Sequence, residues 1–103
     1  MEIAILPAAF TAHTGRAHWQ PLVQTRAIEN LSYVVTAAQG GYHVSGRETY
    51  GHSMIVDPWG TILGQIERGN GFTMGEIDLN HLNNTRRAFP SLEHRQITCR
   101  IDA

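Results

Sequence analysis

Tyr50-Gly51-His52-Ser53-Met54-Ile55-Val56-Asp57-Pro58-Trp59-Gly60 holds a short apolar run closed by a turn. Asp57-Pro58-Trp59-Gly60 has turn composition: proline presets φ near the start, and glycine tolerates a positive φ at the end. His52–Val56 therefore reads as a strand, and Thr61–Glu67 as its hairpin partner. Upstream, Tyr33–Gln39 is β-branched and almost continuously apolar, as a strand covered on both faces should be.

Between the N-terminus and that strand, Ala17–Asn30 places Leu22, Val23, Arg26, Ala27 and Asn30 on one helical face. Pro21 is acceptable only in a first turn, so the regular helix is expected to start near His18, with Thr14 or Gly15 as cap. Arg26 and Glu29 are spaced to pair on its surface. Glu2–Phe10 opens the chain as a strand whose regular pairing Leu6-Pro7 should end. A strand beginning this close to the first methionine is a poorly protected edge, so the chain reads as cut. Downstream, Gly40-Gly41 breaks the second strand, Tyr42–Thr49 reads as a polar loop and Phe72–Ile77 as a further strand. Asp78 or Asn80 should cap a helix running to about Phe89 and ended by Pro90. The order β-α-β-β-β-β-α predicts an α/β layered sandwich with mixed strand directions.

With 103 residues, 42% of them hydrophobic and 17% charged, the chain is one domain or part of one, globular in character. Its apolar runs fall far short of the roughly 20 residues a membrane-spanning helix needs, so no membrane association is expected. The net charge is −1, and no basic cluster exceeds Arg86-Arg87, which argues against a nucleic-acid partner. A single cysteine, Cys99, forms no internal disulfide and suits a reducing cytoplasm, and the N-terminus lacks the basic region of a secretory signal. All eight basic residues are arginine, so no lysine is available as an oxyanion partner or Schiff-base former.

The six histidines show neither the helical pair of a zincin nor a Cys/His knuckle, so neither a metal site nor a cofactor is expected. His52-Ser53 with Asp57 has the residue types of a hydrolytic triad. Neighbours on a strand point to opposite faces, however, so a Ser–His hydrogen bond is not expected. Cys99 lies in an aperiodic tail and reads as an inert thiol. Gly40-Gly41 and Gly69-Asn70-Gly71 read as turns rather than phosphate loops. The segment with most chemical promise is Leu6-Pro7-Ala8-Ala9-Phe10-Thr11, followed by Thr14-Gly15 and His18-Trp19. A strand ending in small residues and feeding a helix N-terminus leaves backbone N–H groups beside an aromatic ring, which suits a carboxylate or carbonyl. Ordinary strand-to-helix packing, with Phe10 and Trp19 in the core, is the alternative.

Leu6–Phe10, Thr14-Gly15, His18-Trp19, Arg26–Asn30, Tyr33–Gln39, Gly51–Gly60, Ile77-Asp78-Leu79 and Arg86–Pro90 through His94-Arg95 together resemble segments of the nitrilase superfamily of carbon–nitrogen hydrolases, in the same order. Ala37-Ala38-Gln39 with Tyr50–Ser53 is most similar to the amidases of deaminated glutathione, with omega-amidases next. The resemblance implies the C-terminal portion, about half, of a four-layer α-β-β-α sandwich, with residues 1–95 in the hydrolase domain and 96–103 a divergent tail. It implies a cysteine nucleophile with glutamate and lysine partners, all in a part of the family's chain preceding Leu6. Neither Glu2 nor Cys99 matches those motifs, so no catalytic residue is assigned and the chain is expected to be inactive alone. Ala9, Phe10, Thr11, Thr14 and His18 are similar to substrate-lining positions, and the C-terminal segment resembles one that helps form the family's dimer. The expected partners are thus a small amide substrate once the catalytic half is supplied, and a second copy or a complementary chain.

Overall fold

The computed structural model describes residues 1–101. Strand β1 (Ile3–Ala8) leads into helix α1 (Ala12–Asn30), which crosses back to strand β2 (Tyr33–Ala38). The two strands run parallel, from Ile3 opposite Tyr33 to Ala8 opposite Ala38, a pairing that needs a crossover such as α1. Strands β3 (Gly40–Tyr42) and β4 (Glu48–Tyr50) form a separate antiparallel hairpin. Strand β5 (Ser53–Val56) then pairs antiparallel with β2, and β6 (Ile62–Ile66) antiparallel with β5. The main sheet therefore has the order β1-β2-β5-β6 and mixed directions, as the α/β expectation required.

Helix α1 covers one face of this sheet. Its buried positions, Ala12, Gly15, Trp19, Val23 and Ala27, recur every three or four residues and form a single stripe. Trp19, Val23 and Ala27 pack on Val34, Met54 and Val56, with Ala4, Ala8 and Ile62 at the margin. Two features differ from the sequence expectation. The helix starts at Ala12, with Thr11 at the N-cap position, so Pro21 lies inside it. Ala17, whose carbonyl loses its N–H partner at Pro21, is on the exposed side, where water can serve it. The stripe also runs through Gly15 and Trp19 rather than Leu22, which is 39% exposed, and Arg26, which pairs with Glu29 on the surface.

The second face of the sheet is covered over its β5 side. Tyr33 is buried there, its hydroxyl donating to the Asp78 carbonyl at 3.1 Å and accepting from the Asp78 N–H at 3.0 Å. Gly75 lies so close to Ile55 that an added Cβ would stand 3.3 Å from its side chain. Residues 72–77, expected as a strand, have no regular structure and reach the sheet through such close approaches. Helix α2 (Leu79–Ala88) follows, capped by the Asp78 carboxylate, which accepts from the N–H groups of Asn80 (2.9 Å) and His81 (3.2 Å). Its Arg86 reaches back to the Leu31 carbonyl at 3.0 Å, where α1 ends in a left-handed residue. Toward β1 the face is open, with Ile3 42% and Ile5 76% exposed.

The expected polar loop over Tyr42–Thr49 is instead the β3–β4 hairpin with a short turn. β1 is shorter than Glu2–Phe10, and Pro7 keeps its place opposite Ala37 because β1 is an edge strand. β5 begins one residue later than expected because His52 has φ 61, outside strand geometry. The tail forms one short 3-10 turn at Ser91–His94 and is irregular through residue 101. Of the expected divergent tail, Asp102 and Ala103 lie outside the described residues.

Candidate functional site

The Ala9-Phe10-Thr11 turn joins β1 to α1 at one end of the sheet and is tied down from three directions. From β2 and the residue after it, the Gln39 N–H donates to the Ala8 carbonyl at 2.9 Å. From β4, the Tyr50 N–H donates to the Phe10 carbonyl at 2.8 Å, and Thr49 bridges Thr11. From the hairpin turn, Arg47 Nη2 donates to the Ala9 carbonyl at 2.7 Å and to Thr11 Oγ1 at 3.3 Å. The Thr11 side chain makes no cap hydrogen bond to α1. The first N–H groups of the helix, which have no intrahelical acceptor, thus lie beside a guanidinium and give this end of the sheet a positive character.

Behind the turn the packing is aromatic. The Phe10 ring lies 4.9 Å from that of Trp19, which is 1% exposed. Trp19 Nε1 donates to the His52 carbonyl at 2.9 Å, which satisfies the buried indole and fixes the left-handed His52. The His52 ring stacks on Tyr50 at 3.8 Å between centroids, and its Nδ1 bonds the Tyr50 carbonyl at 2.8 Å. The packing and the binding readings of this segment therefore coexist: Trp19 is core, while Ala9 and Phe10 are half-buried and Thr11 is exposed.

Thr14 is exposed one turn further along α1. His18 sits elsewhere, in a shallow depression of about 320 Å³ made by α1 alone, with Ala17, Pro21, Leu22 and Thr25. The structure thus brings Ala9, Phe10 and Thr11 together at one turn, with Thr14 close along the chain, and places His18 apart from them. Ser53 is no triad member: its Oγ accepts from the Ala38 N–H at 2.8 Å and donates to the Ala38 carbonyl at 3.2 Å. Asp57 is equally occupied. Its Oδ1 accepts from the N–H groups of Trp59 and Thr61, both at 2.9 Å, and its Oδ2 meets His81 Nε2 at 3.2 Å. Cys99 is exposed. Among the described residues, no three of His, Cys, Asp or Glu converge to hold a metal ion. No helix among them is long and apolar enough to cross a membrane.

Arg47 and the hairpin that carries it were not singled out by the sequence. A lone arginine in a polar loop has no signal until folding brings it 38 residues back along the chain to Ala9. What these side chains can do is bind and orient: backbone N–H groups, a guanidinium and two threonine hydroxyls surround the turn.

The family model for carbon–nitrogen hydrolases matches residues 1–87. This chain belongs to the carbon–nitrogen hydrolase family. Among curated relatives, the deaminated glutathione amidase of Synechocystis is 49% identical over 94 residues, covering 91% of this chain and 35% of that protein. The human deaminated glutathione amidase is 50% identical over 95 residues, covering 92% and 29%. Among solved structures, the Caenorhabditis elegans NitFhit protein superposes with a TM-score of 0.78 at 46% identity, over 90% of this chain and 23% of that one. Saccharomyces cerevisiae Nit3, a member of branch 10 of the nitrilase superfamily, gives 0.80 at 34% identity, over 85% and 32%. A CN-hydrolase superfamily protein of Xanthomonas campestris, 22% identical with a TM-score of 0.89 over 96% and 37%, supports the fold alone. The chain spans about a third of the length of the curated relatives it matches, less than the half that the resemblance implied.

Proposed function

We propose that this chain forms one wall and part of the supporting sheet of an amidase acting on a small anionic ω-amide such as deaminated glutathione. The observation that carries this reading is the Ala9–Thr11 turn, presented by β1 and α1 and held by Arg47 and the β3–β4 hairpin. Ala9 and Phe10 offer an apolar shoulder, and Thr11 and Thr14 offer hydroxyls. His18 contributes where a substrate or partner extends along α1. The names of the similar curated proteins support the choice of amide. Family chemistry requires a cysteine nucleophile, a glutamate and a lysine, and on this reading they come from the part of the fold outside this chain. Alone, then, the chain binds without cleaving. It works in the cytoplasm, where an exposed Cys99 stays reduced.

A second reading is favoured by the uncovered sheet face at Ile3 and Ile5: a non-catalytic module that completes or regulates a complementary hydrolase chain, or pairs with its own copy. The test is reconstitution. The purified chain is assayed on deaminated glutathione alone, then with a polypeptide holding the portion of the Synechocystis amidase outside the matched 94 residues. Turnover only in the mixture is expected. Turnover by the chain alone, or none in a mixture that forms a stable complex, refutes the amidase reading. A chain that stays monomeric and binds no complement refutes the module reading.

A further inference from the structure

Among the described residues, the arginines mostly have their charge answered or their N–H groups spent. Arg16 and Arg68 share Glu48, at 3.9 and 3.2 Å, and Arg26 has Glu29. Arg86 is engaged with the Leu31 and Met1 carbonyls and Ser32 Oγ, and Arg87 with Asn84. Among the described residues Arg47 meets no carboxylate either, as is true of Arg86 and Arg87, but of the three it alone is held at the β1–α1 turn. It donates only from Nη2 and only to the neutral oxygens of Ala9 and Thr11. Of the five N–H bonds of a guanidinium, Nε–H and the Nη1 pair remain free to donate.

Its placement is rigid from both ends. The hairpin turn closes on itself, with the His43 N–H donating to the Arg47 carbonyl at 2.8 Å and the Gly46 N–H to the His43 carbonyl at 2.9 Å. The guanidinium is then pinned on the far side by the two oxygens of the β1–α1 turn. A cation fixed in advance, exposed and without a counter-charge, loses little freedom when an anion arrives. The uncapped start of α1 adds its positive end to the same spot.

We propose that Arg47 is a specificity-determining residue that receives a carboxylate of the substrate distant from the amide to be cleaved. The inference rests on the amidase reading above and deepens it. Deaminated glutathione has lost its amine and keeps two carboxylates, one at each end, so a substrate of this class is strongly anionic and both ends carry a group a guanidinium recognises. Arg47 holds such a substrate by one end. A neutral amide of the same length has nothing to offer it.

Two measurements test the assignment. In the first, the labelled chain is titrated with glutarate, a dicarboxylate with no amide, and followed by NMR. Saturable shifts are expected at Arg47 Nε–H and at the amides of Ala9, Thr11 and Ala12. These should vanish in Arg47→Met, while the indole N–H of Trp19 keeps its wild-type position as evidence of an intact fold. Absence of saturable shifts in the wild type, or equal shifts in the variant, overturns the assignment. In the second, the reconstituted enzyme is compared on the dicarboxylate amide and its diester. Arg47→Met is expected to raise KM on the dicarboxylate roughly 10- to 100-fold more than on the diester, with kcat nearly unchanged, any loss shared by both substrates measuring its hold on the β1–α1 turn. Arg47→Lys should fall between. Equal losses on both substrates would make Arg47 a mere brace for Ala9 and overturn the proposal. Should the reconstituted enzyme cleave no amide at all, the amidase reading falls, and the glutarate titration still decides whether Arg47 takes a carboxylate.

Discussion

Replacing Gly15 by alanine sets two effects of opposite sign against each other. Within a helix, alanine is favoured over glycine by about 0.8–1.0 kcal/mol, so on an exposed face of α1 the change would stabilise. Gly15 is instead buried against the hairpin, and a Cβ built there would stand 2.4 Å from Tyr50 Cβ and 2.6 Å from its Cγ. Those atoms are the root of the side chain, which cannot swing away as a flexible tip would. Tyr50 is also held by its N–H bond to Phe10 at 2.8 Å and by the stack on His52 at 3.8 Å. Relief therefore requires β4 to move off α1. Overpacking of this kind costs about 1–3 kcal/mol, and a clash with two anchored atoms belongs at the upper end. After the helix gain is subtracted, the expected net loss is about 2 kcal/mol, which lowers the urea midpoint by about 1 M. Tryptophan fluorescence reports the transition, because Trp19 is 1% exposed when folded whereas Trp59 is already 60% exposed. Gly71→Ala is the control: its nearest neighbour would be Ile66 Cδ1 at 4.0 Å, and its midpoint should scarcely move. A Gly15→Ala midpoint equal to or above the wild type would refute the reasoning.

Three further outcomes follow from buried or exposed polar groups. Thr36→Val removes a hydroxyl that donates to the Met54 carbonyl at 3.1 Å and accepts from its N–H at 2.9 Å. Both backbone groups are left unsatisfied in the core, so urea unfolding should show a loss of about 1–3 kcal/mol, and a neutral result would contradict the assignment. Asp57→Ala strips the acceptor from the Trp59 and Thr61 N–H groups and should lower the melting temperature clearly. Asp57→Asn, which keeps an acceptor oxygen, should lower it less, and equal effects would argue against those bonds. Cys99 is exposed, so a thiol reagent should modify the native chain as fast as a free cysteine peptide without changing the melting temperature.

What was legible in the sequence were the elements whose signals are local. β2 showed itself by its β-branched run, β5 and β6 by the Asp57–Gly60 turn between them, and α2 by Asp78 before it and Pro90 after it. Helix α1 was legible as a helix but not in its start or its buried face. Pro21 reads as a start signal, while the residues that set the stripe, Ala12 and Gly15, are too small to register as hydrophobic. β3 and β4 are three residues each, and their strand character comes from pairing with each other and from the Tyr50–Phe10 bond. Residues 72–77 carry an apolar pattern, yet Phe72 is 82% and Met74 78% exposed, and the segment meets the sheet at Gly75 beside Ile55 and through the Thr73 side chain beside Gly64. At the candidate site, Ala9, Phe10 and Thr11 were read in advance because they are contiguous. Arg47 was not, because its partner groups lie in another part of the sequence.

The hairpin also has a consequence for how this scaffold can be altered. It stands outside the four-stranded sheet and touches the β1–α1 turn chiefly through Tyr50, Thr49 and Arg47. Its outer turn is unencumbered: Val44 is fully exposed, and a side chain added at Gly46 would meet nothing within 4 Å. Lengthening that turn by a few residues adds only a small loop-closure cost and leaves every sheet pairing in place. The segment is therefore an interchangeable cassette, in which a different tip could hold a different group over the same β1–α1 turn while the barely altered scaffold underneath goes on folding as before.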